Sequence, residues 1–172
     1  QGKTGNIPGM AVLAQALGVT KGAFYYHIKN KEDLLIKCLE RTFNIEQSVL
    51  TSTNAMDIAG IDKLAYAARQ MFSIQLGDLG PLVRYATMWS LPLETRKEME
   101  VTASKVRDLF GELVQSGIND NSIREVDLFI AENIIAGAVE SIPDMAIEPN
   151  KIDLEQGSID FFDIFFNGIA TK

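Results

Sequence analysis

Apolar residues recur at i, i+3 and i+4 along almost the whole chain, while runs of alternating β-branched residues bounded by turns do not occur. Such spacing lays an apolar stripe along one side of an α-helix, so the sequence predicts an all-α fold. Helices are expected at about 10–17, 20–27, 31–50, 61–76, 80–90, 92–116, 124–142 and 154–167, with breaks at Gly18, Asn30, Gly60, "GDLGP", Pro92, "SGINDNS" and "PDMAIEPN". A chain of 172 residues, 47% of them hydrophobic, can bury a sizeable core. The apolar stretch "DLFIAENIIAGAVESI" carries Asp127, Glu132 and Glu140, so no membrane span of about twenty apolar residues is expected. Cys38 is the only cysteine, which excludes an internal disulfide and a cysteine-based metal site. No charged-then-apolar leader opens the sequence, and a reducing cytoplasm is the expected compartment.

Charge is divided unevenly. Residues 1–42 hold six Lys/Arg and three Asp/Glu, whereas residues 43–172 hold ten and twenty. A small basic module joined to a larger acidic one is the expected organisation, with the boundary inside or just after the third helix, near "TSTNAMD".

The basic part contains "MAVLAQALGVTKGAFYYHIKNKEDLL". Leu13, Ala14 and Leu17 share one helical face, and Gly18 ends the helix cheaply in the left-handed conformation. Thr20 can cap the next helix, in which Phe24 and Ile28 face inward. Gly22, Ala23 and Tyr26 then point outward, with Lys21, Tyr25 and His27 on the flanks. A buttress helix followed by a short helix that offers its N-terminal residues is a helix-turn-helix. Lys21 can reach a phosphate or a guanine edge, Gly22 and Ala23 allow close approach, and the tyrosines can meet thymine methyls or phosphate oxygens. Asn30, with Asp33 three residues on, caps a third helix whose first residue is Lys31, and a helix N-terminus with a lysine suits a phosphate.

The combination Leu-Gly-Val, Lys-Gly, Tyr-Tyr-His and Asn-Lys-Glu-x-Leu-Leu resembles the DNA-binding motif of tetracycline-repressor-type (TetR family) regulators. The resemblance covers about twenty-five residues. It implies an all-helical homodimer with an N-terminal helix-turn-helix domain (1–50) and a larger helical ligand-binding and dimerisation domain (51–172). It places the contacts to a double-stranded DNA operator on Thr20, Lys21, Gly22, Ala23, Tyr25, Tyr26, His27 and Lys31. The family has a further helix before the buttress helix, and only "QGKTGNIPG" stands there, so that helix is expected to be missing or truncated.

His27 is the only histidine, and no nucleophile motif surrounds it, so catalysis is not expected. "GKT" at 2–4 lacks the rest of a phosphate-binding loop. No cofactor or metal is expected. Met71, Phe72, Tyr85, Met88, Trp89 and Phe110 are candidates for the wall of an apolar effector pocket, with Gln75, Arg84 or Glu140 as its polar groups. Helix 80–90, short and bounded by Gly and Pro, is the expected moving element. The last helix is apolar on two sides: Ile159, Phe162, Phe166 and Ile169 form one stripe, and Phe161, Ile164 and Phe165 another. One side calls for a second copy, so Ile135, Ala138, Phe162 and Phe166 are candidate dimer contacts.

The expected function is a transcriptional repressor released from a palindromic operator by a small molecule. The same residues fit an activator or a ligand-independent regulator of this fold. A helical enzyme with a vestigial motif would need carboxylates clustered with His or Cys, and the sequence offers few.

Overall fold

The computed structural model describes residues 10–16, 18–145 and 154–167. Every regular element among them is helical: α1 Met10–Ala16, α2 Lys21–His27, α3 Lys31–Asn54, α4 Gly60–Leu76, a 3-10 helix Tyr85–Ser90, α5 Leu93–Asn119, α6 Leu128–Met145 and α7 Leu154–Asn167. Expectations for residues 1–9, including "GKT" and the missing helix, and for Leu17 and Ile169 fall outside the described residues.

The long helices α3 and α5 pack along one another, and α4 lies against both. Leu39, Phe43 and Leu50 of α3 meet Ala67, Met88, Leu91, Met99, Ala103, Val106 and Leu113 in the main core. A second core joins Ala68 and Phe72 of α4, Ile142 of α6 and Phe162 of α7. Because α3 is continuous through residue 50, the short helices α1 and α2 are joined to the main body by an unbroken rod.

Where α4 begins, the chains approach closely. A Cβ on Gly60 would lie 2.1 Å from the Gly117 nitrogen, so only glycine lets α4 start against the end of α5. Ala59 has no capping side chain, and the orphan amides find partners across the fold instead: Gly60 N–H donates to Asp120 Oδ2 at 2.7 Å and Ile61 N–H to Ser122 Oγ at 3.0 Å. Hydrogen bonds that Ser122 and the Gly60 amide donate to Asp120 hold its carboxyl below the ordinary pKa.

The expected helix 80–90 is not formed as such. The backbone amides of Leu82, Val83 and Tyr85 donate to Gln75 Oε1, Thr42 Oγ1 and Glu140 Oε1 at 2.9, 3.1 and 2.9 Å, so none can bond to a preceding turn. Only 85–90 coils, through i→i−3 bonds such as Thr87 N–H to the Arg84 carbonyl. The segment is pinned to α3, α4 and α6 by side chains.

Candidate nucleic-acid interface and effector cavity

The N-terminal segment is organised by bonds between near neighbours. Gly18 has φ +65°, and the amides of Gly18 and Val19 donate to the carbonyls of Gln15 and Ala14, which closes α1 in a Schellman arrangement. Thr20 Oγ1 accepts from Ala23 N–H at 3.2 Å and starts α2. Phe24 and Ala14 are buried between α1 and α2. Asn30 Oδ1 accepts from Asp33 N–H at 2.8 Å, and Asp33 reaches back to Lys29 N–H at 2.8 Å, one residue before the position a standard capping box would take. Asp33 also accepts from Lys37 Nζ, and that bond, with the Lys29 amide, lowers its pKa.

The eight residues expected to meet DNA, Thr20 through Ala23, Tyr25, Tyr26, His27 and Lys31, are all exposed on this one continuous segment. Tyr26 is 84% exposed and its ring stands edge-on to His27 at 4.9 Å. Lys21 Nζ lies 5.9 Å over the Tyr25 ring. A Cβ on Gly22 would touch nothing, so packing within the chain does not demand glycine there.

Behind α3 lies a cavity walled by α3, α4, α5, α6 and the segment 82–85. Leu50, Leu64, Met71, Phe110, Ile135 and Val139 give it an apolar surface. Glu46, Tyr85, Arg107, Glu132, Glu140 and Gln75 supply the polar groups. Burial pushes the Glu46 carboxyl up to about 7, opposed by the hydrogen bond it accepts from Tyr85 Oη and reinforced by Glu140. Burial and the Glu46 charge push the Tyr85 hydroxyl well above its usual pKa. Burial raises Glu132 as well, against Arg107 at 4.0 Å.

Of the candidate pocket residues, Met71, Tyr85 and Phe110 line the cavity, as do Gln75 and Glu140. Phe72 and Met88 are buried in the two cores instead. Trp89 is 74% exposed, with the Arg96 guanidinium 4.6 Å from its ring centre. The 3-10 period explains this: positions three apart, Tyr85 and Met88, share the inner side, and Trp89 is turned out. Arg84 points away and pairs with Asp144. Sequence reasoning missed Glu46. Its signal was present, since Leu39, Phe43, Glu46 and Leu50 form one helical stripe interrupted by a carboxylate.

The candidate dimer contacts are also turned differently. Phe162 is buried against Phe72 and Phe161, Phe166 stacks on Phe162, Ile135 lines the cavity, and Ala138 is half-buried. The exposed apolar side chains are Phe129, Ile130 and Ile134 of α6 and Ile159 and Ile164 of α7. Period alone could not say which α7 stripe faced α4.

The profile of the family described as bacterial regulatory proteins, tetR family, matches residues 9–38. The fatty acid metabolism regulator protein of Bacillus subtilis (strain 168) is 24% identical over 168 residues, covering 93% of this chain and 84% of the relative. The crystal structure of the transcriptional regulator FadR from Bacillus subtilis in complex with stearoyl-CoA superposes with a TM-score of 0.68 at 23% identity, covering 95% of this chain and 89% of that one. That of AibR in complex with isovaleryl coenzyme A and operator DNA gives 0.71 at 20%, covering 91% and 86%. No described helix is long and apolar enough to cross a membrane. The helix-turn-helix segment 9–38 thus matches the tetR family profile, and the helical fold of the whole chain is similar to those of the two regulators.

Proposed function

We propose that the protein is a repressor that binds a palindromic double-stranded operator as a homodimer and leaves it when an acyl-CoA fills the cavity. The observation that carries this reading is the continuity of α3. Lys31 opens the helix beside the recognition segment, and Glu46 and Leu50 of the same helix form cavity wall, about 22 Å away at 1.5 Å per residue. A ligand that displaces the middle of such a rod moves its N-terminus, and two recognition helices must stay about 34 Å apart to meet successive major grooves. The effect is a shift between two arrangements, and its size is set by the difference in ligand affinity between them. The acyl-CoA class is suggested by the ligands of FadR and AibR and fits an apolar cavity.

Residues 1–50 serve as the DNA-binding unit and 51–172 as the effector and dimerisation unit. The protein carries out no catalytic step and acts in the cytoplasm, where operator and acyl thioester coexist. The dimer forms through the exposed side of α6, Phe129, Ile130 and Ile134, where a Cβ on Gly137 would meet nothing, together with Ile159 and Ile164 of α7.

Fluorescence anisotropy on operator DNA tests the proposal. Tight, steeply salt-dependent binding is expected, with release by long-chain acyl-CoA and not by CoA alone. Binding indifferent to every acyl-CoA would remove the effector class. Light scattering tests the dimer: Ile134→Glu should give monomers, and an unchanged dimer would move the interface elsewhere.

A further inference from the structure

One buried amide in the cavity wall uses only half of its hydrogen-bonding capacity. Gln75 is 6% exposed, and its Oε1 accepts from Leu82 N–H at 2.9 Å. A backbone N–H can donate only to the oxygen of that amide, so this bond fixes which way the Gln75 side chain is turned and aims its NH2 group to the other side. The NH2 group donates to nothing among the described residues. Glu46 is alike: Oε2 accepts from Tyr85 Oη, and Oε1 has no hydrogen-bond partner among the described residues. No side-chain nitrogen or oxygen among those residues is sealed from solvent without a partner, so both atoms open onto the cavity that Gln75 and Glu46 line. We propose that this end of the cavity recognises a hydroxyl group on the apolar body of the effector, which accepts a hydrogen bond from Gln75 Nε2 and donates one to Glu46 Oε1. The assignment deepens the effector role given to the cavity above and rests on it.

The strap 82–85 holds the two residues at one end of the cavity. Leu82, bonded to Gln75, adjoins Val83, whose amide donates to Thr42 Oγ1, and Thr42 stands one turn before Glu46 on α3. Tyr85, two residues further on, closes the set on Glu46.

Hydrogen-bond polarity selects the ligand class. A side-chain NH2 only donates, and an ionised carboxylate only accepts. A hydroxyl answers both at once, whereas a carbonyl leaves Glu46 unmatched and an ammonium leaves Gln75 unmatched. An anion would be stripped of water beside Glu46, Glu132 and Glu140. Arg107, the one cation among the lining residues, already bonds Glu100 at 2.6 Å and faces Glu132 at 4.0 Å, and Glu140 is engaged with Tyr85 N–H. Burial, with Glu140 nearby and against the Tyr85 bond, pushes the Glu46 carboxyl up to about 7, so below that pH its free oxygen turns from acceptor to donor. Preference for a hydroxyl over a carbonyl therefore sharpens as pH rises through that value.

Calorimetric titration of the full chain at about pH 8 with octan-2-ol, octan-2-one and octan-2-amine tests the assignment, with operator release by acyl-CoA measured beside it. The alcohol should bind about tenfold more tightly than the ketone or the amine, and its margin over the ketone should shrink at about pH 6. Glu46→Gln keeps the oxygen that Tyr85 bonds and turns the free acceptor into a donor. It should bring the ketone level with the alcohol and remove the pH dependence. Gln75→Glu keeps the oxygen that Leu82 bonds and removes the donor, so it should shift preference toward the amine. Where either variant fails to fold, the wild-type ratio and its pH dependence still decide. Three results would each overturn the hydroxyl assignment and leave the effector role intact: equal affinities that neither variant shifts, a wild type that prefers the amine, or no binding of any octyl compound while acyl-CoA still releases the operator. Alcohol binding without operator release by any acyl-CoA would instead remove the acyl-CoA class and leave the hydroxyl site standing.

Discussion

The recognition segment and the cavity are built by opposite rules. Among the described residues from Ala14 to Asp33, the caps and turns are set by hydrogen bonds between residues no more than five apart, and the candidate functional side chains are exposed. The cavity is assembled from four helices and a pinned strap, tied by bonds such as Tyr85–Glu46, Val83–Thr42 and Tyr85–Glu140 across 39 to 55 residues. A local device can be placed on many bodies without redesign. A non-local one is tuned only by changing how helices pack.

The largest expected effect tests whether the two regions are coupled through α3. Phe43 is fully buried, and its ring packs edge-on against Tyr85 at 5.2 Å. Phe43→Ala should cost about 3–5 kcal/mol and remove both effector and operator binding, measured by thermal melts and anisotropy. Phe24→Ala, buried between the two short helices, should abolish operator binding yet leave the calorimetric signal of the effector intact. Loss of effector binding in Phe24→Ala would show that the regions are not separable.

The same contrast decides what could be read in advance. Gly18, Thr20, Phe24, Asn30 and Asp33 specify caps and facing within a few residues, so the helix-turn-helix was legible residue by residue. The order of helices was legible too, although α3 runs on to Asn54 and α6 takes in Pro143. The cavity was half legible: its ring- and Met-rich helices were identified, but period does not distinguish a residue facing a cavity from one facing a neighbouring helix. Phe72 and Met88 went to the cores, and Trp89 went outside because side-chain bonds from Gln75, Thr42 and Glu140 prevented a full α-helical turn before it. Likewise, α7 turns Phe161 and Phe162, one from each apolar stripe, to Phe72, because α4 has a ring there to receive them, a fact held far away in the chain.

A medium effect belongs to the cavity alone. The Glu46 carboxyl titrates at about 7 in the fold and near the ordinary carboxylate value when unfolded. The folded state therefore holds a proton that the unfolded state has released between those values, and stability falls as pH rises through that window. The contribution lost between pH 5 and 7 is on the order of 2 kcal/mol. Glu46→Gln should flatten that slope relative to the wild type in denaturant melts. An unchanged slope would mean that the Glu46 environment is wetter than the packing indicates.

On the other side of the comparison, Thr20→Ala should remove the α2 cap and cost about 1 kcal/mol of local stability. Because α2 is held by neighbours, the loss should appear as faster amide exchange at Ala23 and weaker operator binding, with little change in the main melting transition. A large shift in that transition would tie α2 to the core more tightly than its contacts indicate.

The smallest effect distinguishes an electrostatic ornament from a structural bond at the start of α3. Lys37 and Asp33 are an i, i+4 pair at 2.7 Å with the lysine largely exposed, a class worth about 0.3–0.5 kcal/mol and screened by salt. Asp33 does more than pair: its other oxygen accepts Lys29 N–H and so fixes the turn between α2 and α3. Lys37→Ala should therefore be nearly silent, and fully silent at high salt, in both melts and operator binding. Asp33→Ala should weaken operator binding at every salt concentration, because the angle at which α2 meets α3 depends on the backbone bond and not on the ion pair. Equal effects from the two substitutions would mean that the turn is held by charge, and that even the local device depends on its solvent.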